Sequence, residues 1–284
     1  MERAIIYGTF QFVGFHLCTA LLAKGWEVTG ISFPENEIES YADEKRLEIG
    51  RNANFTEAGL EAAAGETSNH EKKAVIVSLF DLFMEFKDDS ITEQDNLKSF
   101  IKSLESNDNG KNLFVFLLPV QMLSDSFQAD ILFTLRAFLS ELPIPEQRCQ
   151  HIYLPSLYGP WQPATFYVQQ AILGDMGNKA EIKSDREWTA DLIFITDAVA
   201  KLTETIESER SGRYLLESSI ENYWENCILQ LKSINKPVPE HRPLNTFNEN
   251  HLLGLRIKKI TSFVEGYAMQ QKHNERLRDS EIWK

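Results

Sequence analysis

The chain has 284 residues, with 29 Lys and Arg against 42 Asp and Glu, for a formal net charge of −13. That charge repels phosphate backbones and anionic lipid headgroups, which argues against nucleic acid or a membrane surface as the main partner. No apolar run approaches the ~20 residues of a membrane span. The N-terminus enters a strand pattern at once instead of a signal peptide, and Cys18, Cys149 and Cys227 have no metal-like spacing, which suits a reduced, cytoplasmic setting.

Residues 1–32 read as a strand-turn-helix-strand unit. Arg3 to Tyr7 is a short apolar strand, and Gly8 to Gly14 is a glycine-cornered turn. From Val13 the apolar residues Leu17, Leu21 and Leu22 recur at helical spacing until Lys24-Gly25 stops the helix. Trp26 to Ile31 is a second strand, so the unit is a right-handed β-α-β crossover with parallel strands. The first N–H groups of such a helix have no partner within it and lie at the positive end of its dipole, which suits a pyrophosphate. Gly8, Phe10, Gln11, Phe12, Val13, Gly14 and Ser32 are therefore the candidate cofactor-binding residues. Gln11 narrows the space where bare backbone would meet phosphate, and Ser32 offers no carboxylate to a ribose hydroxyl.

Residues 34–65 are polar and predict one helix, followed by a loose connection over 56–73. A buried strand is predicted from Ala74 to Phe80 and an amphipathic helix from Ile91 to Leu104, carrying Leu97, Phe100, Ile101 and Leu104 on one face. Leu113 to Leu118 is apolar throughout, as a parallel strand covered on both faces would be. A long helix, 120–142, follows Pro119 and is apolar on more than one face, with Met122, Leu123, Phe127, Ile131, Phe133 and Phe138 among its positions. His151 to Leu154 is the next strand. Further on, the pattern predicts a strand at 212–218, a helix at 222–234, a proline-punctuated connector at 236–243 and a last helix from Ile260 to about Lys272. The charged tail after it is expected to be solvated apart from Trp283.

Three stretches carry a resemblance. The opening matches G-x-x-G-x-x-G-hydrophobic-H-L at Gly8, Gly14, His16 and Leu17, with Gln11 in place of the middle glycine. Leu157-Tyr158-Gly159-Pro160 resembles a Y-G-P motif, and the segment from Asp191 to Asp197 resembles R-D-F-I-x-V-x-D-V-A, with Ala190 for the arginine. In this order they resemble the extended short-chain dehydrogenase/reductase family of NAD-dependent nucleotide-sugar epimerases and dehydratases. The resemblance implies an α/β, Rossmann-like doubly wound parallel sheet with a small C-terminal lobe. Residues 1–160 would form the NAD(P)-binding part and residues 161–284 a mixed part with interleaved lobes. It also implies NAD or NADP as cofactor, a nucleotide-sugar ligand, and a homodimer through helix 120–142.

The same resemblance implies a catalytic tyrosine with a lysine four residues later. Without a nearby cation a tyrosine is almost wholly protonated at neutral pH. One alignment puts the pair at Phe127 and Ile131; another uses Ser156 and Tyr167, with Ala171 where the lysine belongs. There is no lysine between Asn112 and Asn178, so Ser156 and Tyr167 remain weak catalytic candidates and the catalytic groups are unknown. Tyr158, Trp161, Gln162, Thr165 and Arg186 are the candidate substrate-cleft residues. Asp197 reads as the cap of a helix beginning at Ala198, lone His151 reads as a hydrogen-bonded structural group, and no histidine spacing suggests a metal. Two functions follow: a non-catalytic, nucleotide-binding or scaffolding relative, or an active NAD(P)-dependent epimerase, dehydratase or reductase with non-standard catalytic residues.

Overall fold

The apolar run Arg3–Tyr7 forms strand β1, and its alternate residues cannot all face water, because four of its five side chains are buried. The computed structural model describes residues 2–33, 41–65, 72–86, 95–107, 110–124, 130–177, 186–231 and 251–281. Its further strands are β2 (Glu27–Ile31), β3 (Phe55–Glu57), β4 (Ala74–Ser78), β5 (Leu113–Pro119), β6 (Cys149–Leu154), β7 (Ser156–Tyr158), β8 (Leu192–Phe194), β9 (Gly212–Glu217) and β10 (Leu252–Arg256). Eight of them form a sheet in the order β10-β9-β6-β5-β4-β1-β2-β3, parallel at every pairing. Strands β7 and β8 pair separately. The fold is the expected Rossmann-like α/β sheet. Every residue of β4 and β5 is buried, which is why both read as unbroken apolar runs.

The helices are α1 (Phe12–Ala23), α2 (Ala42–Ile49), α3 (Leu60–Gly65), α4 (Leu79–Met84), α5 (Asp95–Asn107), α6 (Asp130–Glu141), α7 (Tyr167–Asp175), α8 (Ile195–Glu207), α9 (Tyr223–Ile228) and α10 (Phe263–Glu281). Helix α1 buries eight of its twelve residues because it lies between the sheet and α8. The main core includes Ile5, Phe12, Phe114 and Phe116, each worth roughly 1.5–3 kcal/mol on burial. A second cluster joins Tyr158, Tyr167, Phe194, Trp224 and Phe263, where β7, β8, α7, α9 and α10 meet.

Several expectations are corrected. The helix 120–142 is not continuous: Val120–Leu123 is a 3-10 turn ending at extended Ser124, and α6 begins at Asp130. Serine and aspartate compete for the backbone and favour such breaks; Phe127 lies outside the described residues. The strand from Ala74 stops at Ser78, because Leu79 and Phe80 already belong to α4. Helix α9 ends at Ile228, and the connector 236–243 lies outside the described residues. The tail is solvated on one face only: α10 continues to Glu281 and buries His273, Asn274 and Leu277, while Glu275, Arg276, Arg278 and Asp279 are exposed and Trp283 lies outside the described residues. Strands β3 and β10 had no expectation, being short or half-exposed edge strands.

Candidate functional site

The turn from β1 into α1 has the geometry its glycines predict. Gly8 takes a φ of 92°, and its N–H donates to the Ile31 carbonyl at 2.8 Å. A Cβ at Gly14 would collide with the Gly8 carbonyl, so only glycine lets the helix approach the turn this closely. Thr9 Oγ1 donates to the Ile6 carbonyl at 2.7 Å and accepts from the Ile31 N–H at 3.1 Å, fastening the turn to both strands.

The helix N-terminus inside this turn already holds a carboxylate. Asp81, 1% exposed on α4, accepts the Val13 N–H at 3.0 Å and the Gly14 N–H at 3.1 Å. Ser78 Oγ also donates to it, at 2.7 Å. These are the N–H groups a pyrophosphate would use, and the dipole that favours phosphate favours this carboxylate. Burial raises the Asp81 pKa, opposed by the Ser78 hydroxyl, the two N–H groups and Lys45. Lys45, buried on α2, donates to the Phe10 carbonyl at 2.6 Å and lies 5.6 Å from the Trp161 ring centroid. Phe33 closes over Gly8 so tightly that a Cβ there would lie 2.6 Å from its ring.

Of the candidate cofactor residues, Phe10, Gln11, Phe12 and Val13 are buried. Gln11 is the residue before α1, yet its side chain does not cap the helix. Ser32 Oγ donates to Glu57 at 3.3 Å, and Glu57 pairs with Arg46. Asp81, Lys45 and Phe33 were not identified from sequence. Ser78-Leu-Phe-Asp81 at the end of an apolar strand was a readable capping signal, whereas a lysine in a polar helix gave none.

Four of the candidate substrate-cleft residues are held by packing or hydrogen bonds within the chain. Trp161 takes a left-handed φ of 65° and packs against Phe15, Tyr41 and His273. Gln162 donates to the Leu157 carbonyl at 2.7 Å and accepts from Gln270 at 2.6 Å. Among the described residues Thr165 Oγ1 is buried without a hydrogen-bond partner. Arg186 donates to the Phe83 carbonyl at 2.8 Å and lies 4.0 Å from the Phe86 ring centroid. Among the described residues the Tyr158 hydroxyl is buried without a hydrogen bond, and burial raises its pKa further above the usual range.

The catalytic candidates Ser156 and Tyr167 both lie against Glu187. Ser156 Oγ donates to the Trp188 carbonyl at 2.5 Å. Among the described residues the Tyr167 hydroxyl is buried without a hydrogen-bond partner, and its pKa is raised by burial and by Glu187. Glu187 accepts the Tyr167 N–H at 2.8 Å and Trp224 Nε1–H at 3.0 Å. Burial raises its pKa to about 7 against the donors Trp224, Tyr167 and Ser156. Asp197 corrects another expectation: it lies inside the first turn of α8 and accepts from the Thr261 N–H at 2.6 Å, tying α8 to the approach of α10. His151 lies within β6, its ring stacked on Phe116 at 5.5 Å, and that ring makes no hydrogen bond among the described residues.

Helix α10 seals the loop after β7 with amides. Gln270 donates to Gln162 and to Gln169 (2.8 Å), and Gln169 and Asn274 exchange hydrogen bonds at 2.7 and 3.0 Å. His16 Nε2–H donates to the Pro160 carbonyl at 2.8 Å, and burial lowers its pKa to about 4.

A pocket of about 380 Å³ remains at the carboxyl ends of the strands, with Val120, Pro155, Trp188, Asp191, Glu217 and Ile220 among its walls. Its described charged groups are carboxylates, and Ala190 stands where the resemblance has arginine. None of the five candidate cleft residues lines it. Among the described residues no group of three or more His, Cys, Asp or Glu is placed to hold a metal, and no helix is long and apolar enough to cross a membrane.

The sheet order, the glycine turn and the separate β7-β8 pair define the fold of NAD-dependent epimerases and dehydratases. An NAD-dependent NDP-hexosamine 5,6-dehydratase of tunicamycin biosynthesis shares it with a TM-score of 0.68 at 16% identity, over 97% of this chain and 98% of the other. UDP-glucuronic acid 4-epimerase from Bacillus cereus, in complex with a fluorinated UDP-sugar and NAD, gives 0.67 at 13% identity over 97% and 99%. UDP-glucose 4-epimerase from Stenotrophomonas maltophila, with bound NAD, gives 0.65 at 13% identity over 99% and 100%. No protein-family model and no curated protein sequence matches the chain.

Proposed function

We propose that this chain is a non-catalytic member of the epimerase/dehydratase fold, a pseudoenzyme whose dinucleotide site is closed by its own side chains and which acts as a scaffold through its surfaces. The observation that carries the reading is the Asp81 carboxylate on the Val13 and Gly14 N–H groups. A pyrophosphate needs those donors, and displacing Asp81 would leave a buried carboxylate without them, at a cost of about 1–3 kcal/mol or more. Phe33 over Gly8, the Ser32–Glu57 hydrogen bond and the Lys45–Phe10 hydrogen bond support it further. The residues present therefore do not fit NAD or NADP in this conformation, and no chemical step is routed through either.

The missing lysine and the two buried, unpartnered tyrosine hydroxyls support the absence of tyrosine-lysine chemistry. A nucleotide-sugar ligand is disfavoured by the same logic, since a diphosphate in the strand-end pocket would face Asp191 and Glu217. A cytoplasmic setting belongs to this reading, on three buried free thiols. So does a homodimer through α6, on one observation. Phe133 is 62% exposed, whereas Ile131, Leu132, Leu135 and Phe138 are buried within the chain.

The test pairs the natural protein with Asp81→Gly and with Asp81→Gly combined with Phe33→Val. Neither substitution should be needed if the alternative, an active enzyme, is right. The expected outcome is dinucleotide binding by the opened variants only; tight binding by the natural protein would restore the enzyme reading.

A further inference from the structure

The sheet carries a second opening, away from the glycine turn. A groove of about 860 Å³ lies along β6 and β9, with Met122, Arg136, Leu139, Cys149, His151 and Arg213 among its described walls. Residues 149, 151 and 153 alternate with the fully buried Gln150, Ile152 and Leu154, so one face of β6 supplies the floor.

Three features of this groove stand out in a chain of net charge −13. Arg136 is half-buried and donates Nη2–H to the Met122 carbonyl at 2.7 Å, with its guanidinium 5.8 Å from the Phe133 ring. Among the described residues no carboxylate pairs with it, although a guanidinium has five N–H donors and matches carboxylate and phosphate oxygens in pairs. His151 presents an imidazole held by its stack on Phe116, with no hydrogen bond of its own among the described residues. Arg213 is the second guanidinium, donating to Tyr153 Oη at 2.6 Å. Met122, Leu139 and Cys149 supply apolar surface beside these groups, and Glu146 is the one carboxylate among the described walls.

We propose that this groove binds a small organic anion, with its acid group on Arg136 and His151 and its apolar body along Met122 and Leu139. A half-buried cation without a counter-ion is costly in the free protein, and an acid supplies the missing charge and acceptors together. The site does not depend on the closed dinucleotide turn. His151 adds a reporter: burial and the charge of Arg213 lower its pKa to about 4, so a bound anion should raise it.

The experiment is calorimetric titration of the full chain with benzoate, octanoate and phenyl phosphate, with benzamide as the neutral control, repeated with Arg136→Gln and Ser140→Trp. Ser140 is an exposed wall residue, so the tryptophan fills the groove without entering the core. We expect one-site binding of at least one acid, none of benzamide, about tenfold or greater weakening in Arg136→Gln, and loss in Ser140→Trp. The His151 ring protons should titrate at higher pH when the acid is bound. Carboxylate and phosphate arms distinguish the kind of acid. No binding of any acid to the natural protein, or equal binding by both variants, would overturn the proposal.

Discussion

A buried carboxylate is tolerable only where donors surround it, and Asp81 and Glu187 solve that problem in different ways. Asp81 faces donors alone: two N–H groups, a serine hydroxyl and the field of Lys45. Glu187 has two firm donors in a fully buried place, and its pKa rises from 4.5 to about 7. Its folded state therefore holds a proton that the unfolded chain releases above about pH 4.5. Between about pH 4.5 and 7 the unfolded state loses protons first, so stability falls as pH rises, then levels off once both states are ionised. The gap amounts to about 3 kcal/mol. His16, His151 and His273, whose pKa values burial lowers to about 4, contribute the opposite slope below about pH 6.5, so the Glu187 part is read as a difference. In urea unfolding from pH 5 to 8 the stability of the natural protein relative to Glu187→Gln should fall as pH rises; a relative stability that rises over that range would show that Glu187 is held ionised.

At the scale of elements, α10 is joined to the rest by side-chain amides as well as by apolar packing. Gln270 Nε2 is shared between Gln162 and Gln169, and Asn274 and Gln169 hold each other. Gln270→Ala and Asn274→Ala should each cost about 1–3 kcal/mol in chemical denaturation, because each leaves buried amide atoms unsatisfied. The double variant should cost at least about 0.5 kcal/mol less than the sum; strict additivity would mean that the network is not a unit.

This helix also shows where sequence reading stopped. Its charged end, HNERLRDS, reads as solvated because two of its three buried residues, His273 and Asn274, are polar and Leu277 alone gives no apolar period. By contrast β1, α1, β4 and β5 were legible, since two-sided burial leaves unbroken apolar runs. The glycine turn was legible too, because Gly8 and Gly14 have steric roles that no other residue can take. What fills that turn was not, because Asp81, Lys45 and Phe33 come from separate elements and meet only in three dimensions.

At the scale of the whole molecule, the chain shares the sheet of the epimerases and dehydratases it resembles in structure, and Asp81 takes the first N–H groups of α1. The expected helix 120–142, broad enough to bury two faces, is divided, and α6 satisfies most of its apolar stripe inside the chain. If α6 pairs with its copy, Phe133 is the residue that must be covered. Sedimentation of the natural protein should then show a dimer that Phe133→Asp weakens by tenfold or more, and a natural protein that is monomeric at every concentration would remove the dimer from the account.

If the dinucleotide turn is occupied from within, calorimetric titration of the purified natural chain with NAD+, NADH, NADP+ and NADPH gives no saturable heat with any of the four, and saturable binding appears once Asp81→Gly frees the Val13 and Gly14 N–H groups. Micromolar binding by the natural chain would contradict that occupancy, because Asp81 and Phe33 would then have to leave the turn at little cost.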